Sequence, residues 1–126
     1  MQENHLYEYA VIRVLPRVER EEFVNVGIIL FCKKNKFLQV LYKLNGEKLK
    51  CFGEIDLEQV QENLVAFEKI GLGAKDGGPI AQLDAPSRFR WLTAVRSSVI
   101  QTSRPHPGIS TGLENTIQRL FEELVL

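Results

Sequence analysis

Three apolar runs joined by links too short for a crossover constrain this chain more than any other feature. YEYAVIRV (residues 7–14), EFVNVGIILFC (22–32) and FLQVLYKL (37–44) are rich in β-branched and aromatic residues and read as strands. The charged stretch PRVEREE joins the first two, and the polar turn KKNK at 33–36 joins the second pair. Parallel neighbours need a connection of about a dozen residues or more, so the three strands form an antiparallel meander. The second strand is apolar almost throughout, which predicts cover on both of its faces for part of its length. Asn25 and Gly27 interrupt it, as a bulge or a close backbone approach would require. Asn45-Gly46 ends the meander.

Helical periodicity follows. GEKLKCFG reads as two turns ending at Gly53. In DLEQVQENLVAFEKIG (56–71), Leu57, Val60, Leu64, Phe67 and Ile70 share one stripe. Asp56 with Gln59 fits a capping box, and Gly71 is expected to supply the left-handed stop. Glu54, Asp56, Glu58, Glu62 and Glu68 make this helix acidic. LGAKDGGPIAQLDAPS (72–87) reads as a flexible loop. At the end of the chain TGLENTIQRLFEELVL predicts a helix. Thr111 and Glu114 suit its capping box, and Leu113, Ile117, Leu120, Phe121 and Leu124 its buried stripe. The expected fold is a single α+β domain over 1–126. It has an antiparallel sheet of about four strands in the order β-β-β-α-α-β-α, with the helices packed on one face.

Charge is unevenly spread. Sixteen basic and sixteen acidic residues give zero formal net charge, yet nothing acidic occurs between Asp84 and Glu114. Within that span lies RFRWLTAVRSSVIQTSRPHPG (88–108). As a strand, RFRW places Arg88 and Arg90 opposite Phe89 and Trp91. As a helix capped by Ser87, it sets Phe89 beside Leu92 and Trp91 beside Val95. Either geometry is expected to bury the aromatics and present guanidinium groups. SVIQT (98–102) reads as the fourth strand, and His106 sits in a loop between two prolines. Arginine is suited to bidentate contact with phosphate or carboxylate. The competing reading has Arg88, Arg90 and Arg96 pairing internally with the acidic helix. Lys33, Lys34, Lys36, Lys43, Lys48 and Lys50 read as solubilising or edge-protecting residues of the meander.

Several chemistries lack their motifs. Cys32 and Cys51 have no zinc spacing and read as thiols of a reducing compartment. No metal or cofactor is expected. GLGAKDGG (71–78) lacks the GK[ST] ending of a phosphate loop and follows a helix. Histidine chemistry is confined to His5 and His106. His106 is a weak catalytic candidate, because no nucleophile-plus-base pair can be placed by spacing. Glu21-Glu22 beside Arg20 reads as a solvated charge cluster. No apolar run approaches the ~20 residues of a membrane span, and MQENHLYEY lacks a secretory pattern. A cytoplasmic location with no membrane partner is therefore expected.

Three blocks, YEYAVIRVLPRVEREEFVNVGIILFC, RFRWLTAVRSSVIQTSRPHPG and RLFEELV, make the chain resemble the bacterial domain-of-unknown-function family 3037. Val95 stands where that family's arginine block has proline. The resemblance implies a bacterial accessory or regulatory protein encoded beside a HipA-like kinase. It places Arg13, Arg17, Glu19, Glu21, Asn25 and Gly27 in one matched block. Arg88, Arg90, Trp91, Arg96, Gln101 and His106 fall in another. The expected function is a non-enzymatic binding module with an arginine-lined anion- or partner-binding face drawn from Arg88, Arg90, Arg96, His106, Arg13, Arg17 and Asn25. Its partner would be a HipA-like kinase or another protein. A small hydrolase or nuclease using His106 with arginine support is the alternative. A nucleic-acid-binding module using RFRW ranks third, because the balanced net charge disfavours it.

Overall fold

The computed structural model describes residues 4–17, 22–51, 55–94 and 98–126. The strands are β1 (His5–Arg17), β2 (Glu22–Cys32), β3 (Phe37–Tyr42), β4 (Ile100–Thr102) and β5 (His106–Ser110). The helices are α1 (Gly46–Lys50), α2 (Leu57–Leu72), α3 (Ala85–Leu92) and α4 (Leu113–Leu124). The expected α+β class and antiparallel meander are both present. β2 lies between β3 and β1. The far edge of β1 is shared: β5 pairs with residues 5–9 and β4 with residues 12–14, both antiparallel.

β5 falls where the sequence predicts a loop around His106. Its Pro107 sits opposite Glu8. Proline removes a ladder donor, which an edge strand tolerates and a central strand does not. Opposite Tyr7, Gly108 makes room for a ring, since a Cβ there would collide with the Tyr7 phenol.

A bulge divides β2. Ile12 pairs with Gly27 and Arg13 with Asn25, so Val26 is the extra residue. A Cβ on Gly27 would collide with the Leu41 carbonyl oxygen of β3. Bulge and close approach therefore coincide where Asn25 and Gly27 interrupt the apolar run.

The helices occupy both faces of the sheet, which differs from the expected packing on one face. Val60, Leu64 and Phe67 of α2, Phe89 and Leu92 of α3, and Leu49 of α1 close over Ala10, Ile12, Val14, Val24, Val26 and Ile29. On the opposite face, Leu113, Ile117, Leu120 and Phe121 of α4 meet Tyr7, Val11, Ile28, Leu30 and Cys32. β2 has apolar side chains on both sides, and a single layer of helices would leave Ile28, Leu30 and Cys32 in water.

Local signals explain the helix ends. Asp56 caps α2 by accepting from Gln59 N–H at 3.1 Å. The left-handed stop falls at Gly73 (φ 67°), two residues after the expected Gly71. Gly71 serves another purpose, because a Cβ there would lie 2.7 Å from Val40 Cγ2. It lets helix and sheet approach. The short helix α1 ends at Lys50, and its expected stop, Gly53, lies outside the described residues. RFRW is helical, and its cap is Asp84 rather than Ser87: the Asp84 carboxylate accepts from Ser87 N–H at 2.9 Å. α4 begins after Gly112 without a side-chain cap of its own. Ser110 accepts from Gly112 N–H at 2.9 Å and bonds to the Thr116 hydroxyl, so the expected Thr111 cap is replaced by a residue at the end of β5. The loop expected at 72–87 spans 73–84, since Leu72 ends α2 and residues 85–87 begin α3. It carries a 3-10 turn (Ile80–Gln82), a Gln82 amide bond to the Ala74 carbonyl at 3.0 Å and a Lys69–Asp76 ion pair at 2.7 Å.

Candidate functional site

The structure divides the expected arginine face. Arg88 turns back on its own loop: Nη1 donates to the Leu83 carbonyl at 2.7 Å, and the guanidinium packs beside Gly73. Its Nε is buried without a hydrogen-bond partner among the described residues. Arg90 is exposed on α3. Neither pairs with the α2 acids among the described residues; for Arg88 a bond to backbone stands where the internal-pairing reading had an ion pair. Phe89 is buried and stacks on Phe31, with centroids 5.1 Å apart. Trp91 is 40% exposed, contrary to the expectation that both aromatics are buried. Two positions apart on a helix of about 3.6 residues per turn, the two rings lie on roughly opposite sides. Asp84 links cap and charge. A side-chain and then a backbone hydrogen bond from Ser87, helped by Arg90 and Arg88, holds its carboxyl below the usual range. Arg96 and the side chain of Arg17 lie outside the described residues.

A different grouping emerges from the strand register. Side chains alternate along β1, so Tyr7, Tyr9, Val11 and Arg13 share the face that carries α4. Paired residues point to the same side. Tyr9 opposite His106, and Arg13 opposite both Asn25 and Gln101, therefore join this face. α4 packs on β2 and β3, which leaves the β1–β4–β5 side of the face less covered. Along that strip Tyr9, Arg13 and Gln101 are half-buried, and His106 is exposed.

Two platforms make up the strip. At one end the Tyr9 and His106 rings lie 5.3 Å apart and tilted by 39°, with Tyr7 following at 6.3 Å from Tyr9. At the other end the Arg13 guanidinium sits 4.1 Å over the ring of Phe23, which is itself 45% exposed. Such a contact fixes the guanidinium plane and contributes about 0.5–1 kcal/mol at an exposed site. The Arg13 Nε is buried and has no hydrogen-bond partner among the described residues. Beside it, Asn25 Nδ2 donates to the Leu124 carbonyl at 3.1 Å, tying the bulge to the end of α4. Asn25 Oδ1 is buried without a partner among the described residues. Arg104, in the connection between β4 and β5, is exposed.

Among the described residues His106 has no acid-base partner within hydrogen-bond reach on this strip. Its contact is the Tyr9 ring, and the nearby Ser103 hydroxyl is occupied by the fold: it accepts from Val11 N–H at 2.9 Å and donates to the Arg104 carbonyl at 3.1 Å. Among the described residues no cluster of three His, Cys, Asp or Glu could hold a metal ion, and no helix is long and apolar enough to cross a membrane. Cys32 is buried and Cys51 is exposed. A groove of about 530 Å³ between α2, α3 and β4 has Phe67, Leu92 and Ile100 on its floor and Gln59, Asn63 and Trp91 at its sides. Among the described residues its lining is apolar or uncharged polar.

Of the expected site residues, Arg13, Asn25 and His106 thus share one face. Arg88 and Arg90 belong to the helix layer on the opposite side. Tyr9 and Phe23 were not singled out from the sequence. The signal for them is period-two alternation, which places each on the same side of its strand as Arg13 or Asn25.

The family model described as "Protein of unknown function (DUF3037)" matches residues 9–125. The chain belongs to this family. Neither the curated proteins nor the solved structures contain a match.

Proposed function

We propose, with that family membership as the premise, that this protein is a non-enzymatic binding module that holds an anionic partner on the β1–β4–β5 strip of its sheet. One observation carries the reading: Arg13 is stacked on Phe23 at 4.1 Å, on the less covered side of a sheet face. A guanidinium held in plane by an aromatic ring loses little entropy when it meets a carboxylate or phosphate. Arg13, Asn25 and His106 form the binding set of this reading, with Arg17 on the same strand. Arg88 serves the loop it bonds to. Arg90 is an exposed cation on α3, outside this set.

The biological setting of the proposal is the one implied by the family resemblance, an accessory or regulatory role beside a HipA-like kinase in the bacterial cytoplasm. The test is calorimetric titration of the kinase encoded in the same operon with wild type and with Arg13→Ala. The expected result is micromolar or tighter binding by wild type and a loss of about tenfold or more for the variant, with its melting temperature within a few degrees of wild type. A folded wild type that does not bind would overturn the kinase setting. Equal binding by both forms would overturn the Arg13 face.

A hydrolase reading through His106 gains no support, since the imidazole faces Tyr9 and the adjacent serine is engaged by backbone.

A further inference from the structure

From the two platforms of the strip we infer that its anionic ligand is single-stranded nucleic acid, an inference that rests on the anion-binding reading of this face. A bare carboxylate or phosphate needs only the guanidinium. The strip adds aromatic surfaces, Tyr9 with His106 at one end and Phe23 beneath Arg13 at the other. Arg13 lies four residue steps along β1 from Tyr9, roughly 13 Å at ~3.3 Å per residue. That is more than one stacked ring spans, because ring partners meet at about 4.5–7 Å. Val11 is buried between the two ends. A ligand that uses both must therefore repeat a flat group along a charged backbone, as a short oligonucleotide does.

The charge pattern agrees. No described strand position on this side of β1, β4 and β5 is acidic, while Arg13 is basic, and Arg104 is exposed in the connection between β4 and β5. The acids of the same side, Glu114, Glu122 and Glu123, lie exposed on α4, which confines an anionic chain to the strip. Gln101 and Asn25, opposite Arg13 on the two neighbouring strands, donate their amide nitrogens to the Ser98 and Leu124 carbonyls and flank the guanidinium without adding charge. The two platforms are partly exposed ring faces, on which splayed bases can stack and a duplex, with its bases stacked inside, cannot. Balanced net charge disfavours coating of nucleic acid in general, but a local strip of this kind needs only a few phosphate contacts.

Fluorescence anisotropy tests the assignment. The probes are a labelled oligothymidylate of about eight nucleotides, within the usual site size, a duplex of the same length, inorganic polyphosphate and an acidic phosphopeptide. Single strand should bind more tightly than the other three, and its affinity should fall between about 50 and 200 mM salt. Arg13→Ala and His106→Ala should each weaken it roughly five- to hundredfold, while Lys75→Ala, on the exposed loop after α2, should leave it unchanged. His106 is exposed, so its variant keeps the test valid should Arg13→Ala fail to fold. Polyphosphate or phosphopeptide binding as tightly as the oligonucleotide, with His106→Ala silent, would overturn the nucleic-acid assignment and leave the anion face standing. A folded wild type that binds none of the four probes would overturn the inference, with the kinase titration deciding separately whether the face serves a protein.

Discussion

The two faces of the sheet are built from the same strands and end up differently finished. On one face α1, α2 and α3 close over a core that includes Ile12, Val14, Val26, Ile29 and Leu64, all fully or almost fully buried. On the other a single helix, α4, packs on β2 and β3, and the β1–β4–β5 side keeps Arg13, Gln101 and His106 partly or wholly in solvent. The closed face holds the fold together. The half-closed face has surface left for recognition, and its polar groups are fixed by strand register rather than by a loop.

The comparison breaks most visibly in the closed core. Leu64→Ala, at a position with no exposed surface, should cost about 2–5 kcal/mol, read as a lower urea midpoint with an unchanged slope. The helix–sheet contact comes next. Gly71→Ala should destabilise by about 1–3 kcal/mol, although alanine is the better helix former by about 1 kcal/mol, because its methyl would meet Val40. Val40→Ala in the same chain should recover part of the loss, and a double-mutant cycle measures it.

The arginines on the two sides separate stability from binding. Arg88→Ala removes a bond to the Leu83 carbonyl and should cost about 1 kcal/mol without affecting oligonucleotide anisotropy. Arg13→Ala should cost no more than about 1 kcal/mol and abolish most binding. If the two exchange phenotypes, the site lies on α3.

The smallest effect is acid dependence. Asp76 is held below the usual range by a hydrogen bond and then by the charge of Lys69, and Asp84 by hydrogen bonds from Ser87 and then by its arginine neighbours. Both folded-state values are lowered. Their contribution is therefore fully present above the ordinary carboxylate range, near about pH 4, and is lost as pH falls through it. Urea midpoints of wild type and Asp84→Asn should converge slightly on acidification, with both carboxyls protonated at the low end.

Legibility followed sequence distance. The meander could be read because the four residues of KKNK permit only a hairpin, and α2 because its apolar stripe is unbroken. RFRW was ambiguous because its arginines and aromatics alternate in a way that suits a strand face as well as a short helix. The DAPS cap decides for helix, since Asp84 accepts from Ser87 N–H. β5 was hidden by Pro107 and Gly108, residues that an edge strand accepts. Arg13 and His106 could not be joined from sequence at all, because their shared face depends on a register between segments some ninety residues apart. Trp91 falls outside because it is two positions from Phe89, on roughly the opposite side of α3 from the face that buries Phe89 and Leu92.

The thirteen residues of β1 have a consequence for synthesis. One edge of the strand is satisfied early by β2, but the partners of its other edge are β4 and β5, and the Val11 N–H waits for Ser103, ninety-two residues later. At ribosomal rates of about 5–20 residues per second, that edge stays unpaired for roughly 5–20 s. For that interval the nascent chain offers a long, apolar, hydrogen-bond-ready border to any neighbour, so yield at high expression should depend on how quickly β4 and β5 arrive.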